Sequence, residues 1–285
     1  MLFSTSTGRP MRLFGFEKGV SLYCEAGFPA LDFTMRTDAS VLPTDDDLAA
    51  VKRIADEHGV IFNQAHAPFG YANWYSLIEP KLPRIFEICS KLGVPRVVIH
   101  PLQPGPYRGH EKEIFDLNLA FYRGLIPLSD RAGVKIAIEN MYRRNPVTHL
   151  IIDDICADPA ELANLYDALD DPAHFTVCLD IGHAALCNRE PEDLIRALGH
   201  DRLGALHVHD VDYKEDLHTL PGMSRIDWDK VCRALGEIDY VGELTLESGN
   251  FLVGFEEDFY PTAIRFTADR ARYLANKVDA YRKKQ

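Results

Sequence analysis

Four residues at the ends of apolar, β-type segments combine the donor types that hold a divalent cation: Glu139 in KIAIEN, Asp180 in FTVCLD, His207 in LGALHVHD and Glu247 in GELTLES. Three carboxylates and an imidazole offer oxygen and nitrogen to one hard or borderline divalent metal ion, such as Mn, Mg, Co or Zn. An ion held there beside a sugar or hydroxy-ketone acidifies a hydroxyl, or the carbon next to a carbonyl. Glu139 and Glu247 are then the catalytic pair: from opposite faces of one carbon, one removes a proton and the other returns it. In HVHD, the two-residue period of a strand sends His207 and His209 to the same side. His207 lies deeper and is the expected ligand, with His209 its neighbour. His183 follows Asp180 by three residues in LDIGHA and reaches the same pocket if the chain turns at Gly182. A lone strand-end Glu or His usually caps an element or pairs with a charge. The recurrence of such endings on successive segments is what argues for a site. His66 and His100 fit a substrate contact, a partner behind a ligand or an ordinary loop histidine.

These groups are far apart in sequence, so the fold must bring them together. Short apolar segments recur, each followed by a stretch of helical periodicity: RLFGF from Arg12, ALDFTM from Ala30, VIFNQAH from Val60, RVVIHP from Arg96, KIAIEN from Lys135, FTVCLD from Phe175, LGALHVHD from Leu203 and GELTLES from Gly242. Repeated βα units predict an α/β fold with a parallel sheet. An eight-strand count predicts closure into a single (β/α)8 TIM barrel rather than a doubly wound open sheet. In a barrel the C-terminal strand ends converge on one face, which gathers the polar residues into one mouth. Acidic residues open the helix in PTDDDLAAVKRIADEHG and Gly59 closes it, while DPAELANLYDAL and PEDLIRALG each begin with an acidic residue and a proline. The stretch FYPTAIRFTADRARYLANKVDAYRKKQ reads as the closing helix. One domain is expected over residues 1–285, with residues 1–10 a loose leader. Phe69, Tyr71, Trp74 and Tyr75 in the third βα loop offer an apolar wall above the site.

The formal net charge of -12 argues against a nucleic-acid backbone or an anionic membrane as the main partner and favours a small carbohydrate. The six scattered cysteines form no C-x-x-C pair and suit a reducing cytoplasm. No stretch approaches the length of a membrane span. A homo-oligomer is compatible with this composition.

Taken in order, QAHAP, VIHP, IEN, CLDIGHA, HVHD, DLHTLPG and LTLES resemble the xylose-isomerase-like superfamily of sugar isomerases and epimerases, which also contains endonuclease IV. The resemblance covers about residues 12–250. It implies a metal-dependent barrel whose ion is bound by Glu139, Asp180, His207 and Glu247, with the two glutamates as acid and base. His183 is similar to a histidine that contacts substrate oxygens. With His66, His100 and His218 it completes the expected substrate-binding set. Endonuclease IV is similar in using further histidines and an Asp-x-His pair, and here His66, His100, His183, Asp216 and His218 stand where extra zinc ligands are expected. A multi-zinc phosphodiesterase is therefore the alternative, as is a polyol dehydratase using the same groups. His218 stands where ketose epimerases tend to carry an Arg, so no particular sugar is carried over.

Overall fold

The computed structural model describes residues 1–35, 41–70, 72 and 74–282. Its strands are β1 (Phe3–Thr5), β2 (Ala30–Thr34), β3 (Ile61–His66), β4 (Arg96–Ile99), β5 (Lys135–Glu139), β6 (Tyr142–Arg144), β7 (Ile151–Asp153), β8 (Phe175–Asp180), β9 (Leu203–His207) and β10 (Leu244–Leu246). β2, β3, β4, β5, β8 and β9 pair in that order in one parallel sheet, β1 pairs in parallel with β10, and β6 and β7 form a small antiparallel hairpin. Parallel bridges from Ser6 to Asp32 and from Val208 to Leu246 join the two parallel sheets on both flanks. Among the described residues, each of the eight parallel strands therefore has a parallel neighbour on either side, and the sheet curls around an interior.

Helices cover its outside. They are α1 (Gly8–Phe14), α2 (Phe16–Glu25), α3 (Asp45–Glu57), α4 (Leu82–Leu92), α5 (Glu111–Ala132), α6 (Pro159–Leu169), α7 (Ile181–Leu186), α8 (Pro191–Arg202), α9 (Trp228–Glu237) and α10 (Tyr260–Arg282). Their ends follow the local chemistry of the sequence. Thr44 and Asp47 form a reciprocal capping box at the start of α3, and Asp158 caps α6 ahead of Pro159. None of the described helices is long and apolar enough to cross a membrane.

Alternation along the strands separates two environments. Val97 and Ile99, Ile136 and Ile138, and Val177 and Leu179 join the large apolar core with the helices, whereas the intervening Val98, Ala137, Cys178 and Ala205 form a small separate cluster. Continuing that second register by two residues from Ala137, Cys178 and Ala205 leads to Glu139, Asp180 and His207. Small side chains in the interior thus leave the strand ends free to converge.

The first strand differs from expectation. RLFGF is not a strand: Arg12–Phe14 belongs to α1, Gly15 breaks the chain at φ 84°, and Phe16 begins α2. The strand lies instead in the supposed loose leader, where Phe3, Ser4 and Thr5 are buried and pair with Leu244, Thr245 and Leu246. Its polar composition hid it. Ser4 is inward because it donates a hydrogen bond to Asn63 Oδ1 at 2.6 Å, so this strand is stabilised by buried polar contacts rather than by an apolar run.

Candidate metal centre

Glu139, Asp180, His207 and Glu247 meet at the C-terminal ends of β5, β8, β9 and β10, where each offers a ligand atom within 4.8 Å of those of the other three. Glu139, Asp180 and His207 are fully buried, and Glu247 is partly exposed. His207 Nδ1 lies 2.6 Å from Glu139 Oε1 and 3.6 Å from Glu247 Oε2. Asp180 doubles as the N-cap of α7: its Oδ1 accepts the amide of His183 at 2.7 Å. Asn140 holds the same strand end from the side, accepting the Asp180 amide at 2.7 Å and donating to its carbonyl at 2.9 Å.

Two further groups adjoin this one. His66 and His100 approach Glu139 Oε2 at 3.7 and 2.7 Å, and among the described residues that buried oxygen has no well-aligned hydrogen bond. On the other side His183, His209, Asp216 and His218 offer ligand atoms within 4.8 Å of one another. His218 Nε2 is 3.0 Å from Asp216 Oδ2, and Asp216 Oδ1 is likewise buried without a hydrogen-bond partner among the described residues. His209 was expected only as a neighbour. It is fully buried, with Nε2 3.1 Å from both oxygens of Asp180 and its ring stacked on His218. Gly182 is what admits it, since a Cβ there would lie 2.0 Å from His209 Cε1. The chain does not turn back at Gly182 but starts α7 there, and a glycine in the first helical turn after Asp180 is the signal that marks this packing in the sequence.

Hydrogen bonds orient the imidazoles. His66, His183 and His218 each place Nδ1 at a backbone carbonyl, of Ala67 at 2.7 Å, Asn140 at 2.9 Å and Glu247 at 2.9 Å. A carbonyl only accepts, so Nδ1 carries the proton and Nε2 is left to face the carboxylates. His207 is the reverse: its Nε2 lies 3.2 Å from Asp32 Oδ2, and Nδ1 faces the glutamates. Asp32, a fully buried carboxylate in the middle of β2, was not anticipated, because it stands inside an apolar strand rather than at its end.

The charges are mutually dependent. Burial alone would lower the affinity of His207 for a proton, but Cys178, Glu247, Glu139 and Asp32 together raise it well above the ordinary histidine range. Burial would raise Glu139, yet His207 and His100 hold it well below the usual carboxylate range. Burial pushes His100 itself down despite Glu139, whereas at His66 burial is overcome by Glu139 and the pKa is raised. Burial is likewise overcome at His218, where Glu247 and Asp216 raise the pKa to about 10. Without a cation, imidazolium charge compensates the carboxylates. The donor set, the unpartnered oxygens and the inward-facing nitrogens fit a divalent ion that would replace that charge.

Above the cluster lies a cavity of about 390 Å³ lined by Glu139, Glu247, His66, His100, His183 and His218, with Asp216 at its side. Phe69 and Trp74 form part of its wall, and Phe69 stacks on His100 at 4.4 Å between ring centroids. Tyr75 is half exposed and does not line the cavity, and Tyr71 lies outside the described residues. Arg143 and Arg144 reach the rim, but each is ion-paired, with Asp154 and Glu215 respectively.

The solved structure of a D-tagatose 3-epimerase-like protein is similar over 100% of this chain and 99% of its own, with a TM-score of 0.77 and 19% identity. D-psicose 3-epimerase from Clostridium cellulolyticum H10 is similar over 96% of this chain and 99% of its own, with a TM-score of 0.72 and 19% identity. In sequence, a probable endonuclease 4 of Halorhodospira halophila is 28% identical over 213 residues, 65% of this chain and 67% of that protein. The model of the xylose isomerase-like TIM barrel matches residues 20–270. With its curled parallel sheet and strand-end polar cluster, the chain belongs to the xylose isomerase-like TIM barrel family.

Proposed function

We propose that the chain is a metal-dependent isomerase or epimerase of a small sugar, keto-sugar or related polyol derivative, working as one domain in the cytoplasm. The observation that carries this reading is the division of the four-residue group: Glu139 and Glu247 line the cavity, whereas Asp180 and His207 lie beneath it. Glu139, Asp180, His207 and Glu247 would hold the ion, which when bound supplies positive charge beside the oxygens of the reacting carbons. One glutamate takes the proton from the carbon next to the carbonyl, and the other delivers a proton to the opposite face, which inverts that carbon. Delivery to the neighbouring carbon instead, with the hydroxyl proton passed from one oxygen to the other, exchanges ketose and aldose. His66, His100, His183 and His218 surround the space and contact the substrate's hydroxyls. The cavity suits a molecule of monosaccharide size. Six free, buried cysteines agree with a reducing compartment.

The test is solvent-deuterium exchange into ketohexoses and ketopentoses by the Mn- or Co-loaded protein. Glu139→Gln and Glu247→Gln should each lower exchange by about 10²- to 10⁴-fold. Wild-type exchange rates in both variants would end the mechanism.

A second reading, a phosphodiesterase with several zinc ions, is favoured by the three adjoining ligand groups, which together gather every histidine and carboxylate expected for it. The ion-paired state of Arg143 and Arg144 and the net charge of -12 count against a polyanionic substrate. A metal count decides: about three tightly held zinc ions with cleavage at abasic sites supports the second reading, and one ion with proton exchange the first.

A further inference from the structure

The cation reading above leaves Asp32 unused. It is fully buried on the inner face of β2, at the centre of a polar chain that crosses the interior. Ser4 donates to Asn63, whose amide donates to Thr245 Oγ1 at 3.1 Å. Thr245 Oγ1 donates in turn to Gln64 Oε1 at 3.4 Å. With its oxygen so engaged, Gln64 turns its NH₂ to Asp32 Oδ2 at 3.1 Å. The backbone is pinned as well, since Asp32 O accepts from the amide and the hydroxyl of Thr7 at 3.0 and 2.9 Å. Oδ1 has no partner among the described residues. A carboxylate so placed is an acceptor in a fixed position.

We infer that Asp32 is the positioning residue of His207: by accepting a hydrogen bond from Nε2–H it keeps Nδ1 turned toward Glu139 and Glu247, so that Nδ1 is the nitrogen a cation would take. The inference rests on the cation reading and extends it to a residue in the barrel wall. Three of the other inward histidines, His66, His183 and His218, obtain their orientation from backbone carbonyls, which meet Nδ1 and so present Nε2. His207 presents the opposite nitrogen, and among the described residues no backbone carbonyl is bonded to its ring. Its orientation therefore depends on side chains, with Asp32 meeting Nε2 and Glu139 meeting Nδ1. Without Asp32 nothing favours keeping the proton on Nε2, and the ring retains the one on Nδ1 against Glu139 Oε1, 2.6 Å away, where it occupies the lone pair a cation needs.

The probe is Co²⁺, titrated into the metal-free full-length protein by calorimetry, with ¹⁵N-histidine spectra of the Zn²⁺-loaded form reporting the His207 tautomer. Asp32→Ala should weaken Co²⁺ binding by about ten- to a hundredfold and abolish the uniform Nε2-protonated signal of His207. Asp32→Asn, which keeps the shape and one acceptor oxygen, should lose less affinity, and it decides the matter should the alanine variant not fold. Ser4→Ala breaks the far end of the same polar chain and should leave Co²⁺ affinity at the wild-type value. Unchanged affinity and an unchanged His207 signal in the folded Asp32 variants would overturn this role while leaving the cation reading intact. A wild-type protein that binds no Co²⁺ would overturn both.

Discussion

The inner and outer halves of the polar cluster are built by different means. Glu139, Asp180 and His207 stand on paired strands, with Glu139 registered against Cys178 and Asp180 against His207. Asp216 and His218 ride on the loop between β9 and α9, where Tyr213 and His218 adopt positive φ values of 67° and 41°. The inner groups are sealed, while the side chains of Asp216 and His218 keep 19% and 25% exposure. Strand register alone suffices for the first set, because neighbouring strands cannot slide without disrupting the whole ladder. The loop needs anchors of its own, and one carboxylate supplies five of them. Asp210, fully buried, accepts from the amides of Val211, Gly222, Ser224 and Ile226 and from Trp228 Nε1, all within 3.1 Å. Geometry near the chemistry is thus carried by a strand ladder in one half and by side-chain anchors, Asp210 chief among them, in the other.

The largest effect expected from this contrast is that of Asp210→Ala. Five donors would lose their acceptor, and at roughly 1–3 kcal/mol for each buried group left unmade, partly recovered by water, a loss of about 3 kcal/mol or more is expected in urea unfolding. Amide exchange should accelerate at Gly222, Ser224 and Ile226 before it does in β5 and β8. Uniform acceleration across both regions would show that the loop is not separately anchored.

A smaller effect is expected where the halves touch. Gly182→Ala directs a methyl group at the His209 ring and should destabilise the protein by about 1–3 kcal/mol. The displaced ring bridges Asp180 and His218, so the variant should disturb the His218 proton signal as well. A His218 signal identical to wild type would separate the two halves again.

The pH dependence of the metal-free protein is the finest test. His218 has its pKa raised from 6.5 to about 10, so its contribution to stability is complete below pH 6.5 and disappears as pH rises through 10. Asp216 is shifted the other way. Burial opposes its ionisation, but the bond to His218 prevails, and its contribution is present above pH 3.8 and disappears only under stronger acid. His218→Gln should therefore flatten the decline in melting temperature between about pH 7 and pH 10. An alkaline decline equal to that of wild type in this variant would place the raised proton affinity elsewhere in the cluster.

Seven of the eight parallel strands and the four principal strand-end groups were legible because each depends on local pattern: an apolar run, a capping signal, a polar residue at its end. What escaped has a common cause. β1 escaped because Ser4 and Thr5 are stabilised by partners 59 and more residues away, Asn63 and the β10 strand. Asp32 escaped because a carboxylate inside ALDFT reads as an interruption until Gln64 and His207 are seen to face it. His209 read as a neighbour until Gly182 proved to make room for its ring.

The sequence by itself determined the repeated βα pattern, the helix boundaries and the donor types at the strand ends, since periodicity and capping act over a few residues. Only the tertiary structure decided how those donors are grouped, which nitrogen each histidine presents and that a buried aspartate stands behind His207. Those depend on hydrogen bonds and charges that meet across the barrel interior, between residues as much as 175 positions apart.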